Sequence, residues 1–483
     1  MSKGENLVKN TTFFTGALAI QKILSFVYFI FVARIIGVEN TGRLSFVMSF
    51  VTMFGIFLDF GMAQIIIRES ARDRNTSQKY LANAIGLKVL GSIIIYGAVV
   101  LIINLMGYPT LTIKMVYVAG IVMLLESFTL VFYAVLRGHH NLRYESIGVI
   151  INQVIILVVG FTVLFLDLGL IALVGVYLFG SLFNFFYAAI LLKAKLNIIP
   201  RISFNRQVIK EILKLSLPFA MAGIFVRIFA SMDIVLLSKL GTNEAVGLYS
   251  VAYKIVFAFQ FIALAFLAGI YPVFCTYYIK SKDKLATTFT ASLKYLIILS
   301  IPISFGLIAL ADSVIGPVFG MEYKGSVLPL QIMMTALILI FINYPYGAML
   351  NACNRQTRNT IHLAIVAIFN LIANIILIPI WSYVGVAIAF VASYILMFGL
   401  NLIAVNKILA YDKRGLVWSL IKIVFSGVAM VTVILLLKNK IHFIFVTIIA
   451  GLVYVTLVYL LKEFTKTDIL QIKEMLIKKG DLI

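Results

Sequence analysis

The chain has 483 residues, of which 62% are hydrophobic and 12% are charged. A soluble domain contains about 25% charged residues, so this composition excludes an ordinary soluble fold and indicates a membrane protein. The formal net charge of +21 does not indicate nucleic-acid binding, because the basic residues lie between long apolar runs. Cys275 and Cys353 are too few for a disulfide framework, and the four histidines lack the spacing of metal ligands.

Apolar runs long enough to cross a bilayer recur along the whole chain. A hydrocarbon core about 30 Å thick requires about 20 apolar helical residues, and backbone polar groups in lipid must be satisfied within the segment itself. The predicted fold class is therefore an all-α polytopic membrane protein. Fourteen transmembrane helices are expected, near residues 11–33, 44–67, 81–106, 113–136, 146–166, 168–192, 214–239, 248–279, 287–311, 327–350, 359–380, 382–406, 416–437 and 441–461.

An internal repeat organises these spans. Residues 9–45 align without a gap on residues 214–250, and the matches fall where charge or small size matters. A repeat of this kind predicts two lobes of six helices, related by a pseudo-two-fold axis along the membrane normal. The matching pairs include Lys9 and Lys214, Lys22 and Arg227, Arg34 and Lys239, Glu39 and Glu244, and Gly42 and Gly247.

The repeat and the charge pattern together predict the domain organisation. We expect an N-terminal lobe over 1–195, a cytoplasmic linker over 196–211 and a C-terminal lobe over 212–410. Helices 13 and 14 follow within 411–465, and a tail covers 466–483. Most of the Lys and Arg residues lie in alternate connections, and because such residues favour the cytoplasmic side, both termini are expected there.

Five cations lie several residues inside the predicted spans. Each costs about 3 kcal/mol near the bilayer centre, so they are not expected to face lipid. Either they line a cavity for an anionic substrate, or each snorkels or forms a private ion pair. Lys422 lies closer to a membrane face, where snorkelling is expected. The candidate substrate-binding residues are Lys22, Arg227, Lys88, Lys254 and Lys294.

Three acids, Asp59, Glu126 and Asp233, also lie deep in the predicted spans. They are candidates for ion pairs with these cations or for binding a coupling Na⁺ or H⁺, and no other cofactor is expected. The chain has no G-x-x-x-x-G-K-[ST] nucleotide loop and no large extramembrane domain that would hold an active site. A transporter rather than an enzyme is therefore expected. Its positive cavity would attract an anionic group such as phosphate.

Several short motifs resemble the polysaccharide repeat-unit (O-antigen type) flippase family of the multidrug/oligosaccharidyl-lipid/polysaccharide exporter superfamily. They are Ala33-Arg34-Ile35-Ile36-Gly37, Gly42-Arg43-Leu44-Ser45, Asp59-Phe60-Gly61, Arg68-Glu69, Leu136-Arg137-Gly138 and Gly247-Leu248-Tyr249-Ser250. Arg43-Leu44 departs from the Leu-Tyr more usual after that glycine. The resemblance implies two six-helix bundles in a V shape, with two further C-terminal helices.

The resemblance also implies a function. An oligosaccharide on a polyisoprenoid phosphate or pyrophosphate would be moved from the cytoplasmic to the outer leaflet of the cell membrane by alternating access. The protein would act as a monomer, alongside polysaccharide assembly machinery. Alternatives are a multidrug/cation antiporter of the same superfamily, a lipid II flippase, and a membrane-embedded glycan polymerase or ligase. The antiporter is expected to have mainly acids in its cavity, and the enzymes a long outer loop.

Overall fold

The computed structural model describes the backbone of residues 3–464 and the side chains of residues 13–464, so the predicted tail at 466–483 lies outside the described residues. No β-strand occurs in this part of the chain. Two 3₁₀ helices cover Arg74–Thr76 and Met321–Ser326. The α-helices are α1 Lys3–Asp59, α2 Met62–Arg72, α3 Ser77–Leu105, α4 Thr110–Gly138, α5 Leu142–Phe165, α6 Gly169–Leu196, α7 Arg206–Leu240, α8 Asn243–Lys280, α9 Lys282–Phe319, α10 Val327–Ala352, α11 Gln356–Asn406, α12 Lys413–Leu437 and α13 Phe443–Leu460.

Twelve of these helices are long and apolar enough to cross a membrane. Two of the twelve are kinked: α1 at Gly37, and α11 at Ser382. Each kinked helix covers two predicted spans, so the twelve helices account for the fourteen spans. The predicted all-α polytopic fold is confirmed.

The second predicted span, 44–67, is wrong at its C-terminal end. Helix α1 stops at Asp59, because Phe60 and Gly61 both have positive φ (45° and 73°), and α2 begins at Met62. A residue in the left-handed region ends a helix, and glycine adopts that conformation without steric cost. The break leaves the Asp59 side chain at the end of α1, where it meets α3.

The two aligned halves of the repeat break at equivalent positions. The kink in α1 lies at Gly37 (φ 78°, ψ 172°), and the second copy is interrupted at Gly241, between α7 and α8. In the gapless alignment Gly37 falls one residue after the position of Gly241. The long helix α1 and the α7–α8 pair are therefore two versions of the same local structure.

Immediately after these breaks the two copies touch through their glycines. A Cβ atom at Gly42 would overlap the carbonyl oxygen of Asn243, and one at Gly247 would overlap the carbonyl oxygen of Val38. Val38 aligns with Asn243, and Gly42 aligns with Gly247. The contact is thus reciprocal, as expected when a two-fold relation brings the same patch of both copies together. Only glycine permits this backbone separation.

By contacts the chain forms two compact units, residues 1–247 and 248–483. The boundary falls after α7, because α7 packs against α1, α2 and α3. The linker between lobes was expected earlier, at 196–211, where the structure has an extended connection over residues 197–205. The division into lobes that the repeat suggests stays a prediction.

Each unit has its own apolar core. In the N-terminal unit, residues of α2, α3, α4, α6 and α7 pack around Phe132 and Leu136 of α4. In the C-terminal unit, α8, α9, α10 and α11 pack around Phe274, Phe289 and Tyr346. A further cluster joins α9 to α12 and α13. The last two helices therefore belong to the C-terminal unit through α9.

Candidate functional site

The structure brings Lys22 and Arg227 together within the N-terminal unit. Helices α1 and α7 pack against each other, and the two cationic side chains lie close enough to repel. Both residues are exposed, that is, they are not covered by other parts of the protein. Two positions that the repeat pairs in sequence are therefore neighbours in space.

Glu126 of α4 joins this pair. Its carboxylate is attracted by Arg227 and accepts a hydrogen bond from the Ser181 hydroxyl of α6. The ring of Tyr177, which is also on α6, lies near the carboxylate. The Glu126 side chain is exposed. In the most apolar stretch of its helix, 56% of the residues are buried, the largest share among the twelve membrane helices. We call Lys22, Glu126, Tyr177, Ser181 and Arg227 the charged cluster.

The charged cluster carries two cations and one carboxylate. Placing one cation in a membrane interior costs about 3 kcal/mol, and two cations side by side also repel each other. One carboxylate compensates one of them, which leaves net positive charge in a surround of low dielectric constant. Such a site favours an anionic group. A guanidinium next to an ammonium is well suited to phosphate, because Arg donates two parallel hydrogen bonds and Lys adds a point charge.

Lys88 has a different environment. Its side chain is fully buried, and its ammonium lies 3.2 Å from the Asp59 carboxylate and 2.6 Å from the Ser127 hydroxyl. It also donates to the carbonyl oxygen of Leu58. Lys88 was a candidate for substrate binding or for an ion pair, and Asp59 for an ion pair or for a coupling ion. In this conformation the two residues form an ion pair with each other. The left-handed turn that ends α1 puts the carboxylate within reach.

Lys294 of α9 is also in an ion pair, at 3.0 Å from Glu463, which follows α13. The ammonium of Lys422 of α12 lies 2.9 Å from the same carboxylate, and its side chain is 43% exposed. This ion pair lies just beyond the end of α13 and is compatible with snorkelling, which stays a prediction. Burial alone would raise the pKa of Glu463, but hydrogen bonds from Lys422, Ser419 and Lys294 outweigh it and lower the pKa. Sequence reasoning missed Glu463. Its signal was a lone acid directly after the last apolar run.

The remaining two candidates lie outside the charged cluster as defined here. Lys254 is exposed on α8, in the C-terminal unit. Asp233 is buried on α7, 3% exposed, six residues beyond Arg227. Six residues do not place two side chains on one helical face, in contrast to a spacing of three or four.

The fold defines a class of protein, a multi-pass helical membrane protein. The family model described as "Polysaccharide biosynthesis protein" matches residues 7–278. The model matches more than half of the chain, which therefore belongs to the polysaccharide biosynthesis protein family. The predicted family membership is confirmed.

Individual relatives agree with this assignment. The probable low-salt glycan biosynthesis flippase Agl15 of Haloferax volcanii is 25% identical over 374 residues, which cover 77% of each chain. A structure of lipid II flippase MurJ in an inward closed conformation has TM-score 0.77 and 18% identity, covering 93% of this chain and 98% of MurJ. An inward-facing multidrug resistance MATE family transporter has TM-score 0.64 and 16% identity, covering 80% and 95%.

These comparisons also bear on the type of activity. The relatives are transporters, which confirms the expectation of a transporter rather than an enzyme. The structural similarities, at 16–18% identity, establish the fold and leave the substrate open.

Proposed function

We propose that this flippase moves an oligosaccharide linked to a polyisoprenoid phosphate or pyrophosphate from the cytoplasmic to the outer leaflet of the cell membrane, by alternating access. The observation that carries the proposal is the pairing of Lys22 with Arg227, with the Glu126 carboxylate beside Arg227. This excess of positive charge suits a phosphate group. It does not suit the cationic substrate of a multidrug antiporter.

The names of the relatives support the same substrate class. Agl15 is described as a probable flippase of glycan biosynthesis, and MurJ as a flippase of lipid II. In the proposed cycle, the phosphate groups enter the charged cluster from the cytoplasmic side and leave it on the outer side. The positive-inside pattern supports cytoplasmic termini. We propose that the monomer is sufficient for transport and supplies the polysaccharide assembly machinery.

The proposal is tested by removing both cations, with Lys22→Ala and Arg227→Ala in one chain. We expect export of the surface glycan to be lost while membrane abundance stays at the wild-type level. A second assay uses vesicles that contain the protein and a polyprenyl-pyrophosphate-linked oligosaccharide. With the wild type, the fraction of oligosaccharide that an external lectin can bind is expected to change with time, whereas with the double variant it should stay constant.

The matched control removes the same charge elsewhere, with Lys438→Ala and Lys440→Ala between α12 and α13. This control is expected to export normally. Full export by the Lys22 and Arg227 double variant would refute the assigned role of the cluster.

We also propose that Glu126 is the group through which Na⁺ or H⁺ couples to transport, because its carboxylate lies close to Arg227. Glu126→Gln keeps the Ser181 hydrogen bond but cannot change charge. In vesicles, transport by this variant should lose its response to a pH or Na⁺ gradient, whereas the wild type responds to one of them. An unchanged response would exclude Glu126 as the coupling group.

A further inference from the structure

A second positively charged site lies at one end of the C-terminal unit, in a pocket of about 220 Å³. Three connections meet there: the start of α9, the α10–α11 loop and the end of α11. Each contributes one exposed cation, namely Lys282, Arg355 and Lys407. The pocket is large enough for more than one water-sized group.

The floor of this basic pocket is buried and apolar. Leu285, Cys353 and Leu409 line it and are 1%, 2% and 5% exposed. They belong to the core that joins α8, α9, α10 and α11. Burial raises the pKa of the Cys353 thiol to about 11, although Arg355 and Lys282 oppose the shift. The thiol is thus uncharged at neutral pH and does not compensate the cations.

No carboxylate in the described part of the chain lies within ion-pair distance of these three cations. Arg355 is also the N-cap of α11, and the first turn of that helix has no acidic residue. The N-terminus of a helix carries partial positive charge and unpaired N–H groups, which favour an anion. The C-terminal ends of α10 at Cys353 and of α11 at Lys407 carry partial negative charge, so the positive charge of the pocket comes from the three side-chain cations.

The surroundings of the pocket are those of a membrane boundary. Ile403 lies one helical turn before Lys407 on the same face of α11 and is 58% exposed. Ile279, near the end of α8, is 86% exposed just before Lys280 and Lys282. Apolar side chains that give way to cations within one turn are typical of the depth of phospholipid headgroups.

We propose that the pocket formed by Lys282, Arg355 and Lys407 binds a phosphate group at the membrane surface, from a phospholipid headgroup or from a soluble phosphate compound. This site is distinct from the charged cluster, because it lies in the other compact unit and at a helix end. The inference does not rest on the proposed transport function. The apolar residues beside Lys407 fit the phospholipid.

The test is thermal unfolding of the purified full chain at fixed ionic strength. One arm compares nanodiscs of phosphatidylcholine with nanodiscs that also contain phosphatidylglycerol. The other arm adds inorganic pyrophosphate to the protein in phosphatidylcholine. A ligand at a hundredfold excess over its Kd is expected to raise the Tm of the 483-residue chain by about 3 °C.

Two triple variants separate the pocket from general surface charge. The pocket variant combines Lys282→Gln, Arg355→Gln and Lys407→Gln. The control combines Lys280→Gln, Lys284→Gln and Arg358→Gln, which are exposed near the same connections but do not line the pocket. The single variant Lys407→Gln, at an exposed helix end, serves where the pocket variant does not fold.

A rise in Tm with phosphatidylglycerol that disappears in the pocket variant and persists in the control supports a phospholipid site. The same pattern with pyrophosphate supports a soluble phosphate ligand. Absence of a shift with both probes overturns the proposal. So does an equal loss of the shift in the pocket and control variants.

Discussion

Lys88 in the N-terminal unit and Lys294 in the C-terminal unit occupy similar places in the repeat, yet they are neutralised differently. Lys88 is sealed from solvent and pairs with Asp59 of the same lobe at 3.2 Å. Lys294 is 23% exposed and pairs at 3.0 Å with Glu463, which follows the last helix and also holds Lys422. The first copy therefore has an internal partner, whereas the second depends on helices added after the repeat.

This difference separates two kinds of deep cation. A lysine with a carboxylate about 3 Å away is already compensated and contributes to the fold. Lys22 and Arg227 are placed beside each other, and the Glu126 carboxylate lies near Arg227. Keeping two like charges side by side is unfavourable, and in the proposed transport function an anionic group would offset this cost.

The largest effect is expected from Lys88→Met. The change leaves the Asp59 carboxylate, 14% exposed, without its partner, and removing one member of a buried pair costs about 3–5 kcal/mol. We expect a marked fall in the thermal stability of the solubilised protein. Lys22→Met, at an exposed position, is expected to abolish transport with little loss of stability.

The control for this prediction removes both charges. Lys88→Met combined with Asp59→Leu is expected to recover most of the stability, because an apolar pair of similar volume often replaces a buried ion pair without loss. A Lys88→Met protein that unfolds at the wild-type temperature but fails to transport would place Lys88 among the binding residues instead.

At the contact through Gly42 and Gly247, the two copies of the repeat have equivalent environments. Gly42→Ala is expected to disturb this contact. The added methyl would overlap the Asn243 carbonyl oxygen, and overpacking of this kind costs about 1–3 kcal/mol. Because the contact is reciprocal, Gly247→Ala is expected to have an effect of the same size. Thermal unfolding and glycan export measure both variants.

Gly97→Ala is the matched control, since no atom lies within 4 Å of the position of its added Cβ. Alanine is favoured over glycine inside a helix by about 1 kcal/mol, so this control is expected to stabilise. Equal stability changes at Gly42 and Gly97 would mean that the two copies do not press together there.

The sequence was sufficient for the helices and insufficient for their partners. Apolar runs indicate which segments enter the membrane, and the boundaries predicted from them agree with the helices to within about eight residues. The break at Phe60 and Gly61 was not predicted. The alignment also paired Lys22 with Arg227 and Gly42 with Gly247. Which carboxylate reaches Lys88 or Lys294 depends on how helices pack, and apolar composition carries little of that information. Glu463 is the clearest case, since it is far in sequence from Lys294.

Glu463→Gln is expected to have the smallest effect of the three. The side chain of Glu463 is 5% exposed, but Lys294 and Lys422 are 23% and 43% exposed, so water already screens them. A loss of about 1 kcal/mol is expected. It should be accompanied by faster hydrogen exchange in α13, because the carboxylate joins that helix to α9 and α12.

The same ion pair predicts a pH dependence. Although burial alone would raise it, the pKa of Glu463 is lowered in the folded protein by hydrogen bonds from Lys422, Ser419 and Lys294. A carboxylate with a lowered pKa stabilises the fold at pH values above its unfolded pKa, near 4.5, and loses this contribution as the pH falls through its folded pKa. The stability difference between the wild type and Glu463→Gln should be constant at neutral pH and shrink below about pH 4.5. A difference that stays unchanged down to pH 3 would mean that charge on Glu463 does not hold the last helices.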